Sequence, residues 1–270
     1  MTLNNHIGWL VDAGDHLKSA DGSIVHLYEL CHKDDDTILS SWAKHFRSHY
    51  CSDEEIDVLR NGTGLTRTEY LNNIKFPTAS RGFGPGIRAG DFGEILIADY
   101  LEYRLGYWVP RTRYDRKAIK DESTKGSDLI GFKLVGEIAS PEDELSIYEV
   151  KTQFSGAEPK SRLQDAVKDS IKDEIRKAES LNAIKQRLVD QKKFHDIPKI
   201  ERFQNYVDNP YRDVSGAAAL FSENVLDRQS ICDTCIEDHP NKSALELLVI
   251  HGKDLMNLVH TLYERAANEA

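Results

Sequence analysis

Two carboxylates and an amine stand at a spacing that could do chemistry. Glu149 and Lys151 lie inside ELSIYEVKTQ (144–153), a stretch otherwise composed like the middle of a sheet. Side chains two apart on a strand share a face. Leu145, Ile147, Glu149 and Lys151 therefore take one side, Tyr148 and Val150 the other. Buried charge is strongly unfavourable unless it is paired or bound to a metal. The partner is expected on the preceding strand, GSDLIGFKLVG (126–136), where Asp128 stands 21 positions before Glu149. A hairpin through the polar turn EIASPEDE closes that gap. Carboxylates brought together repel unless a divalent cation lies between them, and hard oxygen ligands suit Mg2+ or Mn2+. The Val150 carbonyl would offer one more oxygen. Such an ion polarises a phosphodiester and lowers the pKa of a water. Lys151 would orient or help deprotonate that water and stabilise charge on a phosphorane-like transition state. The plainer alternative is an edge strand whose Glu149 and Lys151 face solvent.

The elements that must position these groups follow from the pattern. A helix is expected from Asp91 to about Leu105 in DFGEILIADYLEYRL, with Glu94 in phase with Ala98, Leu101 and Leu105. Glu94 then has two readings, a support for the acidic site or the second half of a capping box with Asp91. RGFGPGIRAGDFGE carries five glycines, but no GK[ST] follows, so a flexible connection is expected there in preference to a phosphate loop. YWVPRTRY reads as an edge strand that tolerates Pro110. After Pro159 a long helix is expected, capped by Ser161 with Gln164 and carrying Leu163, Val167, Ile171, Ile175, Ala178 and Leu181 on its core face. GAAALFSE and ALELLVIHG read as strands, and the chain closes on a helix. Before residue 76, GSIVHLYEL suggests a strand, 37–50 a helix, and Ser52 with Glu55 the start of another.

Length allows one large domain or two small ones. We expect a smaller mixed N-terminal region (1–75), a candidate for partner docking, and an α/β domain (76–270) built on a mixed central sheet flanked by helices. No run approaches a membrane span and the first residues lack a leader pattern, so a cytoplasmic protein is expected. Cys232, Cys235 and His239 in CDTCIEDH could supply three zinc ligands without an evident fourth; reduced thiols near a loop are the simpler reading. The formal net charge of −10 argues against a free-standing tight DNA binder. Residues 104–133 nevertheless hold eight Lys or Arg against four acids, a local basic stretch that could meet a phosphate backbone or be merely solvated.

KGSDLIGF and YEVKTQ together resemble the active-site signature of the PD-(D/E)xK nuclease superfamily, with Ser127 where the name has proline. With GDFGEILIADYLE, they make the chain similar to the HamA family, nuclease subunits of the Hachiman anti-phage system. The resemblance implies a restriction-endonuclease-like core and a magnesium- or manganese-dependent DNase. It further implies a helicase subunit (HamB) that restrains the nuclease and releases it on aberrant DNA, with no nucleotide cofactor on this chain. The family's residues fall on Asp128, Glu149 and Lys151, with Glu94 as a fourth. Arg111, Arg113, Lys125 and Gln153 are the candidates for contact with nucleic acid. A catalytically silent helicase adaptor and a sequence-specific restriction-type enzyme remain the alternatives.

Overall fold

The most continuously apolar strand sequences, AAALF and LLVI, occupy the middle of a sheet, as burial on both faces requires. The computed structural model describes residues 5–12, 14 and 16–270. In chain order the elements are a 3-10 turn (Asn5–Trp9), β1 (Leu10–Asp12), β2 (Leu17–Lys18), β3 (Ile24–Leu30), α1 (Asp36–Ser48), α2 (Ile56–Arg60), α3 (Arg67–Tyr70), α4 (Gly84–Tyr103), β4 (Leu129–Lys133), β5 (Glu144–Gln153), α5 (Arg162–Ser170), α6 (Asp173–Asp190), α7 (Ile197–Glu201), β6 (Arg212–Ser222), α8 (Arg228–Cys232), β7 (Leu245–Gly252) and α9 (Leu255–Asn268). The sheet runs β1-β3-β7-β6-β5-β4, with β2 beside β3. Its centre, β3-β7-β6-β5, is parallel, while β1 and β4 pair antiparallel at either end. This is the expected mixed sheet flanked by helices. Among the described residues no helix is long and apolar enough to cross a membrane.

The period-2 alternation of β5 sorts two cores. Tyr148 and Val150 join α1, α4 and α9 on one face. Leu145 and Ile147 pack on the other against Leu181, Leu188 and Ile200 of α6 and α7. Further along that second face, Ala217, Ala219 and Val249 meet Leu163, Ala166 and Val167 of α5. The segment before residue 76 adds β1 to β3 to the same sheet and packs α1 beside α9.

Three local expectations are corrected. The glycine-rich segment is neither a flexible connection nor a phosphate loop: α4 begins at Gly84, with Pro85 in its first turn, where proline's missing N–H costs nothing. A Cβ at Gly93 would stand 2.5 Å from Thr152 Cγ2, so that glycine lets α4 approach β5 closely. The segment YWVPRTRY forms no strand; Trp108 alone bridges Phe132, and the chain leaves the sheet near Pro110. The long helix after Pro159 is two helices. Its break at Ile171–Lys172 lies between Asp169 and Asp173, Ile175 is 85% exposed, and Ser161 makes no side-chain cap.

Gly216 in β6 lies under the ring of Tyr148, where a Cβ would meet ring carbons at 2.3 Å. The ring is buried and its hydroxyl is tied to Glu246, so it has nowhere to move. Gly216→Ala is expected to destabilise the protein by about 1–3 kcal/mol in urea unfolding. Gly136→Ala, in an open turn with nothing near its Cβ, should stay within about 0.5 kcal/mol.

Candidate active site

β4 and β5 pair in a register whose last step is Leu129 opposite Tyr148. The next step sets Asp128 opposite Glu149, so the two carboxylates meet across the strands just where β4 begins. Like charges directly opposite destabilise a sheet, and Asp128 is held there by specific bonds. Its Oδ2 accepts the Val150 N–H at 3.0 Å, and its Oδ1 faces Arg113 Nη2 at 2.8 Å. The N–H and C=O of one strand residue point to the same side, so the Val150 carbonyl faces the same edge as Asp128. Glu149 is 3% exposed. The edge-strand alternative with a solvated face is thereby excluded: β6 lies between β5 and the centre, and β4 covers its outer side.

Lys151 shares the face of Glu149, as the alternation requires. Its Nζ lies 3.5 Å from Glu149 Oε2 and 2.7 Å from Asp169 Oδ2 at the end of α5. Across the helix break, Asp173 accepts a hydrogen bond from Ser127 Oγ at 2.8 Å, while its Oδ2 is buried without a partner. Arg176 approaches Glu149 at 3.8 Å. Nothing in the sequence motifs points to Asp169 or Asp173. Their i, i+4 spacing was visible, but the break that turns both toward Lys151 and Ser127 was not.

Glu94 sits well inside α4, which excludes the capping role. Its carboxylate meets Arg113 Nε at 2.6 Å and accepts from the Tyr114 hydroxyl. Because α4 packs on the Tyr148 and Val150 face, Glu94 reaches the site through Arg113, which touches both Glu94 and Asp128. A cavity of about 540 Å3 is lined by Glu94, Arg113, Lys125, Ser127, Asp128 and Ser180 among others.

Arg111 and Arg113, expected as nucleic-acid contacts, both direct their guanidiniums to carboxylates inside the protein. Three acids of α4, Asp91 and Asp99 buried and Glu94 nearly so, are each met by a cation from the segment that follows: Asp99 by Arg111 at 2.7 Å, Glu94 by Arg113, and Asp91 by Lys117 at 3.0 Å. Arg104, Arg116, Lys120 and Lys133 also have partners in the chain. The local basic stretch is thus largely consumed internally. Gln153 is likewise turned away from the acids: its amide donates to the Glu158 carbonyl at 2.8 Å and accepts from Lys160 N at 2.9 Å, pinning the loop after β5. Lys125 is exposed at the cavity.

The electrostatics match this crowding. Burial, then Asp128, pushes the Glu149 carboxyl well above the usual carboxylate range. Burial lifts Glu94 to about 8 against the pull of Arg113. Asp173 rises to about 6 through burial, opposed by Ser127 and assisted by Asp128. Burial lowers Lys151, but Asp169, Glu149 and Asp128 outweigh it and raise the amine, so Lys151 is an ammonium. The cysteine cluster does not assemble. His239 uses Nε2 with Ser170 Oγ and Nδ1 with Asn241 N. Among the described residues, the one group of three possible ligands close enough for a metal is His45, His49 and Asp99.

Fold and site together define an α/β protein with a helix-flanked mixed sheet and an acid-and-lysine constellation at the start of its outermost hairpin. The family model for HamA matches residues 5–266, nearly the whole chain. The chain belongs to the HamA family. No curated protein matches it.

Glu149 binds its proton more tightly folded than unfolded, so its charge costs nothing below its ordinary value of 4.5 and increasingly destabilises as pH rises. Glu149→Gln is expected to raise the melting temperature at about pH 8, with the gain shrinking toward zero near pH 5, where most of the native glutamate is already neutral. An equal gain at both pH values would show that the charge is not the cause.

Proposed function

We propose that this protein is a metal-dependent DNA endonuclease, the effector of a two-component anti-phage complex of Hachiman type in which a helicase subunit restrains and releases it. The observation that carries this reading is the cross-strand meeting of Asp128 and Glu149 with the Lys151 ammonium on the same face. Membership of the HamA family supports the defence setting, and the motif pair supports assignment to the PD-(D/E)xK superfamily.

The donor set fits a hard dication. Two carboxylates converge, Glu149 is raised by burial and then by that proximity, and the Asp173 Oδ2 is buried and unsatisfied. Asp128, Glu149 and the Val150 carbonyl would hold Mg2+ or Mn2+. When bound, the ion would polarise a phosphodiester and acidify a water. The chain's own groups do the rest. Lys151, kept charged and aimed by Asp169, acts as a cation that stabilises the charge developing on phosphorus oxygens, in preference to a base. Arg113 fixes Asp128 against Val150, and Glu94 fixes Arg113; Glu94 is thus a positioning residue in this scheme. The consumption of the basic stretch by internal acids supports weak autonomous affinity for DNA, so that delivery depends on the helicase.

Arg113 also favours a second reading. Its guanidinium already neutralises Asp128, as it would in a silent adaptor that retains the fold without hydrolysis. Plasmid DNA with Mg2+ and the helicase partner separates the two. The wild type is expected to cut without fixed sequence, Lys151→Ala to lose about 10²–10³ in rate, and Glu149→Ala to lose cutting altogether, with circular dichroism unchanged in both. Absence of cutting by any form establishes the adaptor, and cutting at defined sites establishes a restriction-type enzyme. The isolated chain should fail to bind duplex DNA at nanomolar affinity in about 150 mM salt; tight binding there would defeat the delivery argument.

A further inference from the structure

A second cluster lies further along α4, around Asp99 and away from the carboxylate pair. His45 and His49 stand one turn apart on and just after α1, and their Nε2 atoms are 3.5 Å apart. Asp99 on α4 is fully buried, and its Oδ1 lies 2.8 Å from His45 Nε2. Around zinc with Zn–N of about 2.0–2.1 Å, tetrahedral ligand atoms are about 3.3–3.4 Å apart. The histidine pair stands close to that spacing, the His45–Asp99 pair is tighter, and all three ligand atoms lie within 4.8 Å of one another. Arg111 Nη1 marks the place beside them as favourable to positive charge, 2.7 Å from Asp99 Oδ1 and 3.1 Å from His49 Nε2. A guanidinium only donates, so His49 Nε2 carries a lone pair directed inward. The other Asp99 oxygen takes a hydrogen bond from buried His6 Nε2 at 2.9 Å, the outer partner that orients a ligating carboxylate. His49 and Arg111 line the cavity, which gives an ion a route in.

We propose that His45, His49 and Asp99 form a site for a zinc-class dication, which takes the place of Arg111 Nη1 while that guanidinium stays on Glu102. The ion pins α1 to α4. Ligation by His45 uses the tautomer with its hydrogen on Nδ1, and the fourth position is left to solvent. Two imidazoles and one carboxylate select Zn2+, Co2+ or Ni2+ over Mg2+, so the site is chemically distinct from the all-oxygen site proposed above.

Co2+ is the probe, because its visible absorption reports coordination directly. The full chain carrying Glu149→Gln, stripped with EDTA, is titrated with Co2+ and then with Zn2+, with calorimetry for stoichiometry. The expected result is one equivalent of Co2+ with visible bands, insensitive to excess Mg2+, displaced by Zn2+, and retained in the Cys232→Ser, Cys235→Ser double variant. His6→Ala should weaken binding about 10–100-fold and His49→Gln by more than about 100-fold, beyond the loss of an outer partner alone. Where His49→Gln does not fold, Arg111→Met decides: removing the competing cation must tighten Co2+ binding. No visible bands, bands lost with the cysteines, or affinity unmoved by both the His49 and Arg111 substitutions would overturn the site. None of these readouts depends on nuclease activity.

Discussion

The rest of the structure is arranged around one electrostatic conflict: two carboxylates facing each other across a buried pair of strands. Left alone, such a pair would break the sheet edge or neutralise itself by protonation. The chain holds it by stopping β4 at Leu129, one residue short, so that Asp128 bonds in the plane of the sheet to the Val150 N–H instead of extending the ladder. Helix α4 then has to come close enough for Glu94 and Arg113 to brace Asp128. Gly93 permits this, since a side chain there would strike Thr152. On the other face, the α5–α6 break supplies Asp169 to Lys151 and Asp173 to Ser127. Each departure from regular structure near the site serves this conflict.

Strands were the legible part of the fold. β5 and β7 carry their identity in alternation or in continuous apolar runs, and burial on two faces leaves no other solution. The charges of β5 were legible for the same reason: Glu149 and Lys151 fall on the phase of Leu145 and Ile147, which must be buried. The Asp128 partnership was legible because Asp128 and Glu149 lie on consecutive strands that a hairpin can bring together. What the sequence concealed were features whose cause lies in tertiary packing. A glycine-rich stretch has poor helix propensity, yet α4 forms from Gly84 because apolar residues on nearly every side of it are buried. The apolar stripe after Pro159 suggests continuity, whereas the contacts of Asp169 with Lys151 and of Asp173 with Ser127 come with a break in it.

The basic stretch is the clearest case of a feature whose internal partners composition does not show. A local excess of Lys and Arg in an acidic protein reads as an anion-binding surface. Counting charges along the chain cannot reveal that Asp91, Glu94 and Asp99 are spaced along one buried helix and need cations of their own. The consequence for function is physical. Cations bound to buried carboxylates are unavailable to phosphate, because releasing one would strand a buried charge at a cost of about 3–5 kcal/mol.

That pairing also explains how an irregular segment can hold a precise site. Between α4 and β4 lie residues 104–128, with no helix or strand among them. A connection of this length without secondary structure has neither ladder nor helical bonds to fix its path. Arg111, Arg113 and Lys117 fix it instead, meeting Asp99, Glu94 and Asp91 in reverse order, so that the segment runs antiparallel to α4. Hydrophobic anchors of equal strength would tolerate slippage by a residue. Ion pairs of this geometry do not, since each shift would leave two buried charges unmatched. Buried pairs often contribute little net stability but can set register, and here the register they set delivers Asp128 opposite Glu149. The same helix thus ties the acidic site at Glu94 to the histidine cluster at Asp99, five residues further on.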